Sequence, residues 1–399
     1  MKKFTIILSI ILALYLIETL MLVFGTFKDG IQWTSRFDEF NKLKKIHDNA
    51  VVTLHGTYLM NKNNNIYPLA GISNRETLYC NESAKWMTYK SDRYGFNNSE
   101  DIYQKKIRIS VIGDSFAHGA CVDRRSHITA VLNKKFDLSA INLAYGGNGL
   151  LQSYAALKEY AKFFKPESVI LFFSENDVTD FISEMKNPIL IKYFEDDNFN
   201  QNLINRQQEI DVYLEGHLKE EINKLQRGKA NIDPYSFIAF LKLRYTRYLL
   251  KFSKNYFSLF LKNSFFYISP NKKVELELSP QDKNSYDKNF PREEVNIILK
   301  KYYKFSKAIN ADFKIAYLPS ICWYTNEVDW FECDRKYLIN LKYNIKKISK
   351  ENKIDFIDVQ SYLEKKYKNP LNMFPFKKGP HYTVEAYDII ASYINEYYK

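Results

Sequence analysis

From residue 106 to the C-terminus, short apolar runs alternate with amphipathic helical stretches. This alternation constrains the fold more than any other feature of the 399-residue chain. "IRISVIG" (107–113) is a β-branched run ending at a glycine, and "ITAVLNKKF" (128–136) follows with helical spacing. "AINLAY" (140–145) is a second strand, "LLQSYAALKEYAKFF" (150–164) a helix stopped before Pro166, and "SVILFFS" (168–174) a third strand. The third strand is almost wholly apolar, as a strand covered on both faces must be. "REEVNIILKKYYKFSKAI" (292–309) is a helix feeding a fourth strand, "FKIAYL" (313–318); "IDFIDV" (354–359) is a fifth strand. "TVEAYDIIASYINEYY" (383–398) closes the chain as a helix, with Thr383 placed to cap it. Strands and helices in this order predict a three-layer α/β domain on a five-stranded parallel sheet, spanning residues 106–399.

Two segments interrupt or precede that pattern. Residues 180–290 form an insertion between strands three and four, charged and mostly helical in character. Its basic, aromatic centre (235–263) suits either a membrane-surface helix or a cap helix laid on the domain. Residues 28–105 read as a polar stalk followed by a small irregular β region of short apolar runs broken by Asn and Gly. Ahead of them, Lys2 and Lys3 precede the apolar run at residues 4–25. At about 1.5 Å per residue that run is long enough for a bilayer core of about 30 Å. Residues 1–27 are thus expected to be a transmembrane signal anchor, with the rest of the chain outside the cytoplasm, periplasmic or at the cell surface. Glu18 within the run favours the alternative of a shorter, cleaved signal.

The composition narrows the class. Hydrophobic residues make up 46% of the chain, which is not the composition of a disordered protein. The net charge of +12 comes without any dense Lys/Arg block, so no nucleic-acid partner is expected. The charge fits either an anionic surface or a Lys-rich composition without functional meaning. The four cysteines, Cys80, Cys121, Cys322 and Cys333, match no zinc-site spacing. In an oxidising compartment Cys322 could pair with Cys333 across one loop, and Cys80 with Cys121 would tie the N-terminal region to the loop after Ser115. Four free thiols are the alternative. Nothing in the sequence sets the oligomeric state.

In an open parallel sheet, ligands collect at the carboxyl ends of the strands. Gly113, Asp114 and Ser115 follow the first strand, and Gly146, Gly147, Asn148 and Gly149 follow the second. Glu175, Asn176 and Asp177 follow the third, and His381 precedes the last helix. A hydroxyl, a glycine loop, a side-chain amide and an imidazole on one edge suit acyl transfer. Serine needs a base, and the developing oxyanion needs preorganised donors. Those donors would be the Ser115 and Gly147 N–H groups and the Asn176 amide. Asp114 and Asp177 read as supporting residues that shape turns. His118 and His127 read as surface or packing histidines.

"VIGDSFAHG", "NLAYGGNG", "SEND" and "GPHYTVEAY" resemble, in order, the four blocks of the SGNH or GDSL-type hydrolases. "YPLAGISN" and "SDRYGFNN" resemble the lead-in of bacterial, membrane-anchored members. The resemblance implies a flavodoxin-like sheet of order 2-1-3-4-5, Ser115 as nucleophile, His381 as base, and Ser115, Gly147 and Asn176 as the oxyanion hole. It implies no metal or cofactor. The substrate class it implies is an acyl ester, O-acetyl foremost, on a carbohydrate or lipid, cleaved through an acyl-serine. An O-acyltransferase acting on an envelope glycan shares the same chemistry. One departure stands out: the family's Asp three residues before the histidine is Lys378 here. Either a backbone carbonyl or an acid from elsewhere orients His381, or the site is a degenerate binding module.

Overall fold

A computed structural model of the chain describes residues 9, 11–17, 19, 36–54, 65–83, 85–232, 290–325 and 333–399. The chain divides into two compact units, one of residues 1–38 and 221–277, the other of residues 39–220 and 278–399. In the first unit every described residue is helical. The apolar run at residues 4–25 lies largely outside the described residues, and among these no helix is long and apolar enough to cross a membrane. The basic, aromatic segment 235–263 also lies outside them.

The larger unit holds two sheets. The small one has order β1-β2-β3, from Val51–Val52, Glu76–Leu78 and Thr88–Lys90. Its first pair is parallel and its second antiparallel. The large one comprises β4 (Ile109–Gly113), β5 (Ala140–Asn142), β6 (Ser168–Phe173), β7 (Asp312–Tyr317) and β8 (Asp355–Asp358). Its order is β5-β4-β6-β7-β8 and every pair is parallel, the arrangement expected from the sequence. All residues of β4, β5 and β6 are buried. Each large apolar side chain so enclosed contributes about 1.5–3 kcal/mol relative to exposure.

Besides α1 (Arg36–Ile46), α2 (Ser115–His118) and α7 (Gln207–Ile232), helices cover the sheet in two groups. One contains α3 (Ile128–Phe136), α10 (Val359–Lys366) and α11 (Val384–Glu396), with α11 packed on the other two. The other contains α4 (Leu150–Ala156, running on as a π-turn through Ala161), α5 (Asn176–Glu184), α6 (Leu190–Glu195), α8 (Arg292–Ala308) and α9 (Arg335–Glu351). The side chain of Thr383 caps α11 by accepting from Ala386 N at 3.3 Å. Strand β5 stops earlier than its apolar run suggests. Past Asn142, the N–H groups of Leu143 and Tyr145 still donate to the β4 carbonyls of Val111 and Gly113.

The segment before β4 fastens the edge strand. Asn98 grips the backbone of Asn142 from both sides, its amide donating to the carbonyl and its oxygen accepting from the N–H, each at 2.8 Å. Buried Asp92 gathers the N–H groups of Tyr94 and Phe96, the Asn98 amide and the Tyr103 hydroxyl, and burial lifts its pKa to about 6. The turn closes on Gly95, whose φ is 86° and where a Cβ would lie 1.9 Å from the Gly71 carbonyl oxygen. Neither backbone can yield cheaply. Gly95→Ala is expected to cost about 3 kcal/mol or more, read as a lowered midpoint in urea unfolding with an unchanged slope.

Both cysteine pairs are disulfides: Cys80–Cys121 and Cys322–Cys333. The first closes a separation of 41 residues, an entropic constraint on the unfolded chain of about 2–4 kcal/mol.

Candidate active site

β4 ends at Gly113, where φ is 145° and a Cβ would meet the Phe172 carbonyl oxygen of β6 at 2.6 Å. Only glycine lets the chain turn here between two paired strands. Asp114 then caps the short helix α2 (Ser115–His118) by accepting from Phe116 N at 2.9 Å. As the first residue of α2, Ser115 keeps a backbone N–H with no intrahelical acceptor. Its side chain is half-buried at the sheet's carboxyl edge.

His381 arrives from the other end of the chain. Tyr382 donates its hydroxyl to the Pro319 carbonyl at 2.6 Å, and Thr383 N donates to the Met373 carbonyl at 2.8 Å. Held between these anchors, His381 stacks obliquely on Phe116, ring centroids 4.9 Å apart. Its Nε2 lies 2.7 Å from Ser115 Oγ. The other ring nitrogen, Nδ1, lies 2.7 Å from Glu82 Oε1. The second Glu82 oxygen accepts from the His381 backbone N–H at 3.0 Å. The carboxylate thus clamps both ring and main chain. A carboxylate at Nδ1 puts the hydrogen on that nitrogen and leaves the Nε2 lone pair facing the Ser115 hydroxyl. Burial pulls the His381 pKa down, but the Glu82 charge and hydrogen bond, with Asp114 behind, outweigh it and hold the pKa above its ordinary value of 6.5.

Glu82 is absent from the residues the sequence singles out. It sits at the tip of the β2–β3 hairpin, closed by reciprocal backbone bonds around Tyr79, Cys80 and Met87. Lys378, at the position of the family's acid, is exposed in the loop before His381. One signal in the sequence pointed to Glu82: it lies two residues after Cys80, whose partner Cys121 closely follows Ser115.

Asn176 starts α5 beside this pair. Its Nδ2 donates to Asp114 Oδ2 at 3.1 Å and to Asp180 Oδ2 at 3.0 Å. Both amide hydrogens are therefore committed, and an oxyanion can take one only by displacing Asp180, the less buried of the two partners. Asp177 shapes the β6–α5 turn, accepting from Ser174 N at 2.8 Å. Burial, with the Asp114 charge nearby, holds its carboxyl well above the usual range. Glu175, between Ser174 and Asn176, points into the domain and accepts from Tyr317, Ser320 and Trp323.

Gly147 stands half-buried in the turn after β5 with φ 86°. The loop is fixed on either side. Gly146 N donates to His118 Nδ1 at 3.2 Å, and the buried Glu184 carboxylate caps α4 through the N–H groups of Gly149 and Leu151. Among the described residues no protein acceptor takes the Ser115 or Gly147 N–H. His118 and His127 are both buried rather than on the surface. His118 accepts at Nδ1 within a ring of Tyr79, Tyr89 and Tyr145. His127 caps α3 through Ala130 N, and burial beside Arg124 drops its pKa to about 4.

No protein-family model and no curated protein matches this chain. Solved structures do resemble it. A GDSL-like lipase from Bacteroides thetaiotaomicron is 13% identical, with 74% of this chain and 88% of that one covered, at a TM-score of 0.36. An acetyl xylan esterase is 10% identical, covering 73% and 99%, at 0.37. A psychrotrophic esterase from Pseudoalteromonas sp. is 12% identical, covering 72% and 94%, at 0.31. Many of these neighbours are GDSL-type lipolytic hydrolases.

Proposed function

We propose that the chain is a serine esterase that cleaves an acyl ester, O-acetyl foremost, on a carbohydrate or lipid. The observation that carries this reading is the unbroken relay from Glu82 through His381 to Ser115, both links 2.7 Å long. His381 Nε2 takes the Ser115 proton as Oγ attacks the ester carbonyl. The oxyanion is met by the N–H groups of Ser115 and Gly147 and by the Asn176 amide, which exchanges Asp180 for it. His381 then returns the proton to the departing alcohol, leaving an acyl-serine. Water, activated by the same imidazole, attacks that ester and frees Ser115. Glu82 acts as a positioning residue, holding the tautomer and stabilising the imidazolium. It supplies the acid whose place Lys378 occupies, and so removes the main argument for a degenerate binding module.

The reading includes a location. Two disulfides suit an oxidising compartment, and the apolar run at residues 4–25 suits an anchor that leaves the catalytic unit outside the cytoplasm.

The test is turnover of p-nitrophenyl acetate by the purified protein, with and without sugar alcohols as acceptors. Hydrolysis is expected, and acylated sugar as the major product would make the protein a transferase. Because His381 must be neutral to act and its pKa is raised, kcat/KM is expected to fall on the acid side with a midpoint above 6.5. A flat profile down to pH 5 would contradict the role of His381.

A further inference from the structure

Glu82 reaches His381 from a hairpin tip, and the geometry shows what braces that tip. Cys80, at the base of the tip, is bonded to Cys121, just beyond the Ser115 helix. The Cys121 sulfur, a Glu82 carboxylate oxygen and a His381 ring nitrogen all lie within 4.8 Å of one another. The disulfide thus lies beside the Glu82–His381 pair as well as tethering the hairpin. Tyr79, Tyr89, Ala120 and Cys121 form a small apolar cluster around it, separate from the main core. Among the described residues the Glu82 carboxylate's hydrogen bonds go only to His381.

We propose that the Cys80–Cys121 disulfide is a positioning device for Glu82, so that the catalytic relay is complete only in the oxidised protein. The proposal rests on the roles given above to Ser115, His381 and Glu82. With the bond closed, the hairpin tip has a covalent reference point on the segment that carries Ser115. With it open, the tip keeps no covalent tie to the Ser115 segment: the Tyr79 hydroxyl on His118 and the hairpin's backbone bonds hold its base, and at the tip the Glu82 carboxylate must hold its place through its own bonds to His381. A small apolar cluster with no covalent tie opens more readily than the core. The tip then moves and His381 loses its acid. The chemistry is a two-electron thiol–disulfide exchange with an external dithiol. A thiolate attacks the half-buried Cys80 sulfur, since the Cys121 side is only 2% exposed, and Cys121 leaves as a thiolate. The reductant's second thiol displaces Cys80 and departs as its own disulfide, leaving two protein thiols.

The experiment has two arms, with a chelator throughout so that the freed thiol collects no metal with Glu82 and His381. In the first, kcat/KM for a small ester is measured against pH for the wild type, Glu82→Gln, Cys80→Ser/Cys121→Ser and the triple variant, each checked for folding by near-UV circular dichroism. The cysteine variant is expected to lose about as much as Glu82→Gln, on the order of a hundredfold or more. Its acid limb is expected to move to lower pH, and the triple variant to be no worse than Glu82→Gln alone. The second arm covers a cysteine variant that fails to fold. Folded protein carrying Cys322→Ser/Cys333→Ser is titrated with dithiothreitol while thiols are counted. Activity is expected to fall in step with two thiols released and to return on reoxidation. Wild-type kcat/KM and acid limb in the folded cysteine variant, or losses that multiply in the triple variant, would overturn the proposal; so would full activity after both thiols are free. Glu82→Gln with wild-type kcat/KM would instead defeat the relay itself, a different pattern from failure of the brace alone.

Discussion

Replacing Ser115 with alanine is expected to lower kcat/KM for a small ester by about a thousandfold or more, leaving the protein folded. Ser115 Oγ is the only hydroxyl within hydrogen-bond distance of His381 Nε2 among the described residues. Losing it removes the covalent route, and what remains is binding and the oxyanion donors acting on water. Folding is expected to survive because α2 keeps its Asp114 cap and Phe116 and Ala117 stay buried. His381→Ala is expected to cost a similar factor, and the double variant no more than either single one, because the two residues act as one unit. Turnover unchanged in Ser115→Ala would place the chemistry elsewhere.

Glu82→Gln is expected to lower kcat/KM by about 10²–10⁴ while shifting its pH dependence in a direction that simple damage would not produce. The introduced glutamine is close in shape to the glutamate but carries no charge, so it can present its amide to Nδ1 and favour the wrong tautomer. The charge that raises the His381 pKa disappears, and burial, which lowers it, then dominates. The base stays neutral to lower pH, so the acid limb of kcat/KM moves down even as the plateau drops. Glu82→Asp, one methylene shorter, is expected to restore the position of the limb and part of the plateau. A pH–rate profile of the three proteins checks both signs at once. A loss of rate with the limb unmoved would mean that Glu82 contributes packing and not charge.

Much of this was legible in the sequence because the physics is local. Five apolar runs with intervening helices can bury their faces in few ways, and β6, apolar after Ser168, could only be an interior strand. Ser115 and His381 could be read because each follows or precedes an element whose end is marked, by Gly113 in one case and by the Thr383 cap in the other. Glu82 could not. It is 299 residues from the histidine it serves, in an irregular segment with no periodicity, and its one signal, the nearby Cys80, helps only once the pairing with Cys121 is known. Nor did the sequence reveal that Asn176 is already engaged. The competition from Asp180, one turn along α5, depends on side-chain rotamers that spacing does not encode. Helix α9 was obscured for another reason. Its stripe of Leu338, Leu341, Ile345 and Ile348 is set among lysines that reach solvent from the other face.

The central claim is that Ser115 is an activated nucleophile despite Lys378 in the usual acid position. The most direct test is intact-mass analysis of the folded protein after brief exposure to a fluorophosphonate, with peptide mapping of any adduct. The account predicts one adduct per chain, on Ser115, formed quickly by the wild type, slowly by Glu82→Gln and not at all by His381→Ala. A folded wild-type protein that takes up no label, or one labelled on another residue, would contradict it.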